Sequence, residues 1–251
     1  MAIFQTRALV LKTQDYKESD RLIWLYTEKL GKVSAIAKGA KKNRSKYFSN
    51  TLTFTYGDYI LYRGKGMYTL NEGTIIDSFQ GILSDFDTIS YASYLCELID
   101  ISMAEEESNR ELFKELVTAF YLMKNNACDL ETLARVFEMN VLRATGYGLN
   151  LHKCSICKEP ISSADYISIQ YLGGVCIKCP KLNGMRVSPA AYNIIKYLNN
   201  LALEKSYRVT IPSNLKEEIE KLLGAIIAQS YIRKPKSLET LNFIKRSEKS
   251  E

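Results

Sequence analysis

The sequence of 251 residues lacks long hydrophobic runs. No stretch approaches the ~18 to 20 consecutive apolar residues that a helix needs to cross a bilayer. The first residues, MAIFQTRALVLK, also lack the basic segment and following apolar segment of a secretion signal. These absences argue against a membrane protein and against a secreted one, so we expect a cytoplasmic chain.

Histidine is almost missing, and so are the common catalytic motifs. His152 is the only histidine, which excludes a metal site built on two histidines. The sequence has no G-x-S-x-G nucleophile motif, no Walker A phosphate loop and no G-x-G-x-x-G at the start of a predicted helix. We therefore expect a protein that is not an enzyme, and we interpret His152 as an ordinary residue beside the cysteines described below.

Acidic residues are few at both ends of the chain and concentrated in its middle. The net charge is +6. Residues 1–80 carry 13 Lys/Arg against 7 Asp/Glu, residues 81–150 carry 5 against 12, and residues 151–251 carry 16 against 9. The two ends are therefore expected to attract a polyanion, and the middle to repel one.

The first 76 or so residues have the pattern of short strands separated by turns. The predicted strands are Ala8–Leu11, Arg21–Thr27, Lys32–Ala37, Leu52–Tyr56 continued by Tyr59–Tyr62, and Tyr68–Ile76. Five short strands suit a closed barrel, because closure removes the exposed edges of a sheet. We predict an oligonucleotide-binding (OB) barrel; an SH3-like barrel and a split sandwich fit the same pattern.

The rest of the chain changes to helical spacing. Apolar residues recur at intervals of three and four along a helix that Asp129 can cap and Gly146 can end. Pro189 after Ser188 is typical of a helix start. The other predicted helices are Tyr91–Met103, Arg110–Met123, Ser188 to about Leu201, and Ser213 to about Tyr231.

Four of the six cysteines lie within 26 residues and form the pattern C-x2-C-x18-C-x2-C. They are Cys154, Cys157, Cys176 and Cys179. Each pair can place two sulfurs about 2.3 Å from one point, and two pairs complete a tetrahedron around Zn²⁺. Four sulfurs leave no position for water, so we predict one structural zinc ion. A redox dithiol and reduced core cysteines are alternatives, but neither pair lies in the helix-start context of redox motifs.

A group of cations follows the third predicted strand. It holds five cations in nine residues with no acid among them: Lys38, Lys41, Lys42, Arg44 and Lys46. Gly39 and Asn43 within it suit a loop. Such a loop offers charge without the fixed geometry that reading bases demands, so we predict that it binds the sugar-phosphate backbone of DNA. A loop that is merely solvated is the alternative.

Further residues are candidates for the same surface. Arg7 and Arg21 are expected to extend the row of cations. The neighbouring aromatic residues Tyr47, Phe48 and Phe54 are able to stack on unpaired bases. Aromatic residues on strands belong more often to a core than to a stacking surface, so both interpretations stay open for these three.

Together the patterns predict an α+β protein with an N-terminal OB-fold barrel, a central helical bundle and an inserted four-cysteine zinc module. The expected domains are 1–80 (DNA-binding barrel), 81–150 (helical domain), 151–185 (zinc module), 186–232 (helices that complete the helical domain) and 233–251 (mobile tail).

Several segments resemble one family of bacterial DNA repair proteins, RecO. The resemblance extends over nearly the whole chain to about residue 230. Its most specific part is N-terminal, and Thr145–Gly148 ahead of the four cysteines matches as well. The N-terminal segments are Leu9-Val10-Leu11-Lys12, Asp15-Tyr16-Lys17-Glu18-Ser19-Asp20-Arg21-Leu22, Thr27-Glu28-Lys29-Leu30-Gly31-Lys32 and Ala37-Lys38-Gly39-Ala40.

Resemblance to RecO implies an OB barrel, a helical domain, a zinc module and a role in recombination. Members of that family bind single- and double-stranded DNA, anneal complementary strands, and with RecR help to load RecA onto strands coated by single-stranded DNA-binding protein. They also bind the acidic C-terminal tail of that coating protein. Arg135 lies in a stretch similar to the family's tail-binding helix, so it is the candidate contact; a solvated surface arginine is the alternative.

Two other functions remain open on the sequence alone. The first is a zinc-ribbon regulator that binds a specific DNA sequence, which would need a helix carrying Arg, Asn or Gln side chains to read base edges. The second is a metal-dependent enzyme acting on nucleic acid. The helix predicted after Pro189 carries only Lys196 as a cation, which disfavours the regulator.

Overall fold

The computed structural model describes residues 2–42, 44–64 and 66–237. The chain forms two compact units: unit 1 is Met1–Asn125 with the chain from Pro235 on, and unit 2 is Asn126–Lys234. The division falls inside the segment predicted as one helical domain, and the finer domain boundaries stay predictions. Residues 238–251 of the predicted mobile tail lie outside the described residues.

Unit 1 begins with a closed five-stranded barrel. Its strands are β1 (Ala2–Tyr16), β2 (Asp20–Thr27), β3 (Gly31–Ala37), β4 (Tyr56–Arg63) and β5 (Tyr68–Asp77). They close in the order β1-β2-β3-β5-β4, and every neighbouring pair is antiparallel except β3 with β5. This closed arrangement confirms the predicted OB-like barrel.

The barrel interior is filled by alternate residues of each strand. In β3, Val33, Ala35 and Ala37 face inward and are buried, while the residues between them are partly exposed. In β1 all of Ala8–Leu11 is buried, because helix α1 (Phe86–Ser102) packs against that strand. A strand covered on both sides has a continuous apolar run instead of an alternating one.

The predicted strand at Leu52–Tyr56 is wrong in its first four residues. They form a turn in which Thr55 N donates to Leu52 O at 3.2 Å and Phe54 has φ of +72°. Phe54 is apolar within this segment because its ring packs on Phe120, with ring centroids 5.3 Å apart, and not because it lies on one face of a strand. β4 then runs through Gly57 without a break.

In the described part of unit 1 two α-helices follow the barrel, and both begin at side-chain caps. Asp85 accepts from Thr88 N and begins α1 five residues before the predicted start. Asn109 accepts from Leu112 N and begins α2 (Arg110–Lys124) at the predicted residue. The acidic segment between the helices is exposed, and Glu106 N donates to Lys32 O of β3 at 2.9 Å.

Unit 2 contains three helices and a small sheet. The helices are α3 (Leu130–Ala144), α4 (Pro189–Leu198) and α5 (Ser213–Ser230). Asp129 and Ser188 cap the first two, as predicted, by accepting from Thr132 N and Ala191 N. The sheet has the order β7-β6-β8, with β6 (Tyr166–Ser168), β7 (Gly173–Gly174) and β8 (Gly184–Arg186). Within the described residues, no helix combines the length and hydropathy needed to cross a membrane.

The turn between β2 and β3 depends on a glycine. Gly31 has φ of +69°, and a Cβ there would overlap the backbone of Glu107. We expect Gly31→Ala to lower the free energy of unfolding of unit 1 by roughly 2 kcal/mol or more, from the left-handed backbone and the overlap together. Urea denaturation followed by circular dichroism measures it.

Gly81→Ala is the matched control, since a Cβ added at Gly81 would meet no atom within 4 Å and the residue has no positive φ. It should change the unfolding midpoint little. Equal stability of the two variants would contradict the role given to Gly31 in this turn.

Candidate nucleic-acid interface and metal centre

The predicted cation group is a loop at one end of the barrel. The basic loop, residues 38–46, follows β3 and is folded by local turns in which Lys42 N donates to Gly39 O and Ser45 N donates to Lys42 O. These bonds are 3.2 and 3.0 Å long. The loop is therefore a folded turn rather than an extended strand.

The turn between β1 and β2 anchors the basic loop. Asp20 Oδ1 accepts from Gly39 N at 2.8 Å, and Ser19 O accepts from Lys41 N at 2.9 Å. The bond from Gly39 N, followed by that from the Ser19 hydroxyl, lowers the pKa of Asp20 against the opposing effect of burial. Gly39 adopts φ of +68°, a backbone conformation that glycine accepts without strain.

Asp15 binds two of the predicted cations at once. Its carboxylate lies 3.1 Å from Lys41 Nζ and 3.5 Å from Arg21 Nε. The hydrogen bond from Lys41 is the largest cause of the lowered pKa of Asp15. Lys41 is thus paired within the chain, and its charge is partly cancelled.

The other four cations of the loop face solvent. Lys38, Lys42, Arg44 and Lys46 are exposed, and in the described part of the chain no carboxylate lies within 4.0 Å of their charged nitrogens. Exposed cations of one sign raise the local potential and concentrate phosphate groups beside them. The site can therefore hold a polyanion through charge alone.

The structure does not bring Arg7 to the basic loop. Arg7 lies near Thr27, at the opposite end of the β1–β2 ladder from Asp15 and Arg21. Arg21 and Thr27 are six positions apart along β2, which is about 20 Å at ~3.3 Å per residue. Arg7 is exposed and lies 4.0 Å from Asp58, so it forms part of a different surface.

Arg21 lies beside the loop but is mostly covered. Its side chain is 12% exposed, and Nη1 donates to Thr51 Oγ1 at 3.1 Å. Together with its pairing to Asp15, this makes Arg21 a support beneath the loop in the described conformation. A direct contact of Arg21 with DNA stays a prediction.

Arg135 does not present its charge at the surface of unit 2. It is 1% exposed, and Nη2 lies 3.2 Å from Glu138 Oε1 on the same helix. The helix α3 packs against α4, α5 and the short 3-10 helix Leu203–Arg208. In this conformation neither a peptide nor bulk solvent reaches the guanidinium, and the tail-binding role stays a prediction.

The four cysteines converge in unit 2. Their sulfurs all lie within 4.8 Å of one another, and Cys157 Sγ is 3.7 Å from Cys176 Sγ. A tetrahedron with metal–sulfur bonds of about 2.3 Å has sulfur–sulfur edges of about 3.8 Å. The arrangement therefore fits a metal ion held by four thiolates. The group contains the four cysteines and does not include His152.

The fold of the module sets the positions of these sulfurs. Cys154 is fully buried beside Tyr166 and Val175, whereas Cys157 is exposed. Burial opposes ionisation of Cys154, but donation from the backbone N–H groups of Cys176, Cys157 and Ile156 lowers its pKa to about 6. Backbone donors aimed at sulfur stabilise the thiolate, which is the form that binds metal.

Close backbone packing holds the two cysteine pairs together. Ser155 N donates to Gly174 O at 2.8 Å, and Cys176 N donates to Cys154 Sγ at 3.3 Å. A Cβ at Gly173 would overlap Asn150 O, so only glycine permits the close approach of residue 173 to Asn150, four residues before Cys154. The cysteine spacing predicted the cluster, but not the glycines on which it depends.

Sequence reasoning missed the supports of the basic loop. Nothing in the sequence marks Asp15, Asp20 or Thr51 as contacts of the basic loop. Asp20 contacts Gly39 and Asp15 contacts Lys41, and Thr51 accepts from Arg21 beneath the loop; each pair is 19 or more positions apart in the chain. Asp15 and Asp20 lie beside the turn that precedes the second strand, and this position was their only signal.

Comparison with known proteins extends these observations. The family model described as recombination protein O N terminal matches residues 1–79, and the model described as recombination protein O C terminal matches residues 83–239. The chain is 55% identical over 251 residues to the DNA repair protein RecO of Clostridium novyi (strain NT), covering 100% of this chain and 98% of that protein.

Other relatives agree over the same length. The chain is 58% identical over 245 residues to the DNA repair protein RecO of Clostridium acetobutylicum, covering 98% of this chain and 99% of that protein. It is 27% identical over 245 residues to the protein of that name in Caldicellulosiruptor saccharolyticus, covering 98% and 100%. Both ends of the chain and both units are matched, and the chain belongs to the RecO family of DNA repair proteins.

Proposed function

We propose that this chain is a recombination mediator that binds single- and double-stranded DNA through the basic loop of its OB barrel. The observation that carries the proposal is the set of four solvent-facing cations, Lys38, Lys42, Arg44 and Lys46, on an anchored loop. Backbone phosphates carry one charge per nucleotide, so such a loop binds without regard to sequence and releases counterions as it does.

Strand annealing follows from the same electrostatics. Two complementary strands repel each other through their phosphates, and cations that neutralise one strand lower that repulsion for the second. The step needs no bond cleavage and no nucleotide hydrolysis, so the proposal includes that the chain is not an enzyme. The absence of nucleotide-binding motifs in the sequence supports this part of it.

The proposed partners come from the family. RecR, and the acidic C-terminal tail of single-stranded DNA-binding protein, are the partners with which this chain would help to load RecA onto coated strands. A cytoplasmic location at the nucleoid belongs to the same proposal. Each is supported by membership of the RecO family.

We propose zinc as the metal of the cysteine cluster. Four thiolates suit Zn²⁺, and such a closed set of ligands braces a module without offering a coordination position to substrate. The exposed residues Lys153, Lys158 and Lys178 are neighbours of these cysteines in the chain. Their positive charges would offset the formal charge of −2 on a zinc ion with four thiolates. The ion is proposed to stabilise unit 2 and to take no part in binding phosphate.

A sequence-specific regulator is not favoured by any observation. The helix α4 carries one cation, Lys196, and its ammonium donates to Ser162 O at 3.3 Å. Reading base edges requires several Arg, Asn or Gln side chains on one exposed element.

Charge reversal in the basic loop tests the DNA-binding role. For wild-type protein, neutralising four phosphates of a single strand gives a slope of log affinity against log salt of about −2.8. Lys42→Glu with Arg44→Glu should make the slope shallower by about 1.4 and abolish strand annealing, because two cations are lost. Fluorescence anisotropy at several salt concentrations, and annealing of two labelled oligonucleotides, measure these effects.

Arg110→Glu with Lys114→Glu is the matched control, since it makes the same change in net charge at two exposed positions of α2. It should leave binding to naked DNA nearly unchanged. A flat salt response of the wild-type protein, or equal losses in the two double variants, would contradict the role of the loop.

Removal of one sulfur tests the metal centre. Cys157→Ser should reduce bound zinc from about one ion per chain towards none and destabilise unit 2 by several kcal/mol, because structural zinc contributes about 10–16 kcal/mol of apparent folding energy. Elemental analysis and limited proteolysis within residues 126–234 measure the two effects, and DNA binding by the basic loop should persist.

Cys128→Ser is the control, because Cys128 is half-buried and lies outside the cluster. It should keep the metal and the resistance to protease. A Cys157→Ser protein with a full complement of zinc would refute the proposed ligand set.

A further inference from the structure

Three aromatic residues flank the basic loop, and the structure gives them different environments. Phe54 is 3% exposed and packs on Phe120 with ring centroids 5.3 Å apart. Tyr47 is half-buried, and its hydroxyl donates to Asn71 O at 2.7 Å. Phe54 therefore belongs to the interior, and Tyr47 is held by a hydrogen bond to β5.

Phe48 is the one of the three whose ring is open. It is 47% exposed, although burial of a phenylalanine side chain would stabilise the folded chain. It lies just beyond the basic loop in the chain, close to Lys46 and a few residues from Lys42 and Arg44. The exposed ring thus lies two residues beyond the last of the four solvent-facing cations in the chain.

The ring of Phe48 rests on a charged support. The guanidinium carbon of Arg21 lies over the ring, 5.4 Å from its centroid. Arg21 is itself fixed by Asp15 at 3.5 Å and Thr51 Oγ1 at 3.1 Å, and the Thr51 hydroxyl donates to Tyr47 O at 2.8 Å. One face of the ring is thus supported by groups that are already bonded, and the ring is oriented before any ligand arrives.

We propose that Phe48 is a stacking site for an unpaired nucleobase. The neighbouring cations bind the phosphates on either side, and the open face of the ring receives the base. An aromatic ring stacks on any base because every base has a π-face, so the site adds affinity without sequence preference. The charge around it identifies the ligand as nucleic acid rather than an apolar peptide.

The proposed site distinguishes single strands from duplexes. In a duplex each base is paired and stacked between its neighbours, so its face is closed to Phe48. The phosphates of both forms remain available to the cations. Phe48 therefore gives preference for single-stranded DNA, whereas the basic loop alone gives none. This inference rests on the proposed function of that loop.

The test compares normal and abasic oligonucleotides. Wild-type protein and Phe48→Ala are titrated with an oligothymidylate, with a strand of equal length whose central residues are abasic, and with a blunt duplex. We expect Phe48→Ala to weaken binding to oligothymidylate by roughly tenfold, as stacking of about one base implies. Binding to the abasic strand and to the duplex should change less than twofold, and the salt slope should not change.

Two further variants separate stacking from folding. Phe48→Leu keeps an apolar side chain over Arg21 but has no ring, so it should behave as Phe48→Ala does. Phe48→Trp should keep wild-type affinity. Tyr171→Ala, which removes a ring that is 53% exposed in unit 2, should have no effect on any of the three ligands.

The outcomes distinguish this inference from the proposed function. Unchanged affinity of Phe48→Ala for oligothymidylate, with a normal salt slope, would overturn the stacking site and leave the basic loop as the contact. Equal losses on the normal and abasic strands would also overturn it. If wild-type protein bound none of the ligands, the proposed function would fail first and the stacking site with it.

Discussion

The cations of the basic loop repel one another, and two carboxylates beside the turn between β1 and β2 stabilise their arrangement. Asp20 fixes the backbone at Gly39, and Asp15 pairs with Lys41 and Arg21. Both carboxyls have a pKa below the ordinary value of 3.8 in the folded chain. Their contribution to stability is therefore complete at neutral pH and is lost as the pH falls through those lowered values.

The two carboxylates act on different parts of the loop. Asp20 accepts a hydrogen bond from a main-chain N–H group, so it positions the loop without neutralising the charge of a lysine or arginine side chain. Asp15 pairs with the Lys41 side chain and partly cancels its charge. The same carboxylate also holds Arg21 beneath the ring of Phe48. The result is a loop whose backbone is held from below and whose remaining four cations point to solvent. Preorganisation of this kind reduces the entropy lost on binding.

The metal cluster belongs to the other unit and supports a different part of the molecule. Its four sulfurs come from two tight turns that small residues, Gly173 and Gly174, bring together. The short strands around it are two or three residues long, which is too little sheet to be stable alone. The proposed zinc ion would account for how so small a module keeps a defined shape, and it would need no role in DNA binding to do so.

The sequence predicted the features that depend on near neighbours. Helix caps at Asp129 and Ser188, the cysteine spacing and the cation loop are all local patterns, and the structure has them where they were expected. The strand predicted at Leu52–Thr55 is wrong. These residues form a turn, and their alternation of apolar and polar residues reflects the packing of Phe54 on Phe120 rather than the two faces of a strand.

Features that depend on distant contacts were beyond the sequence. Nothing local shows that Asp20 reaches Gly39, that Arg7 lies at the far end of the barrel, or that Arg135 is buried against Glu138. Charge at a position can be read from a sequence, but its exposure depends on which elements pack around it.

Hydrogen exchange with and without a bound oligothymidylate tests the central claim most directly, namely that the anchored loop is the surface that grips DNA. We predict that bound DNA slows exchange in peptides spanning residues 16–20 and 38–48, and leaves residues 126–234 nearly unchanged. Protection confined to residues 126–234, with the loop exchanging as it does in the free protein, would contradict that claim.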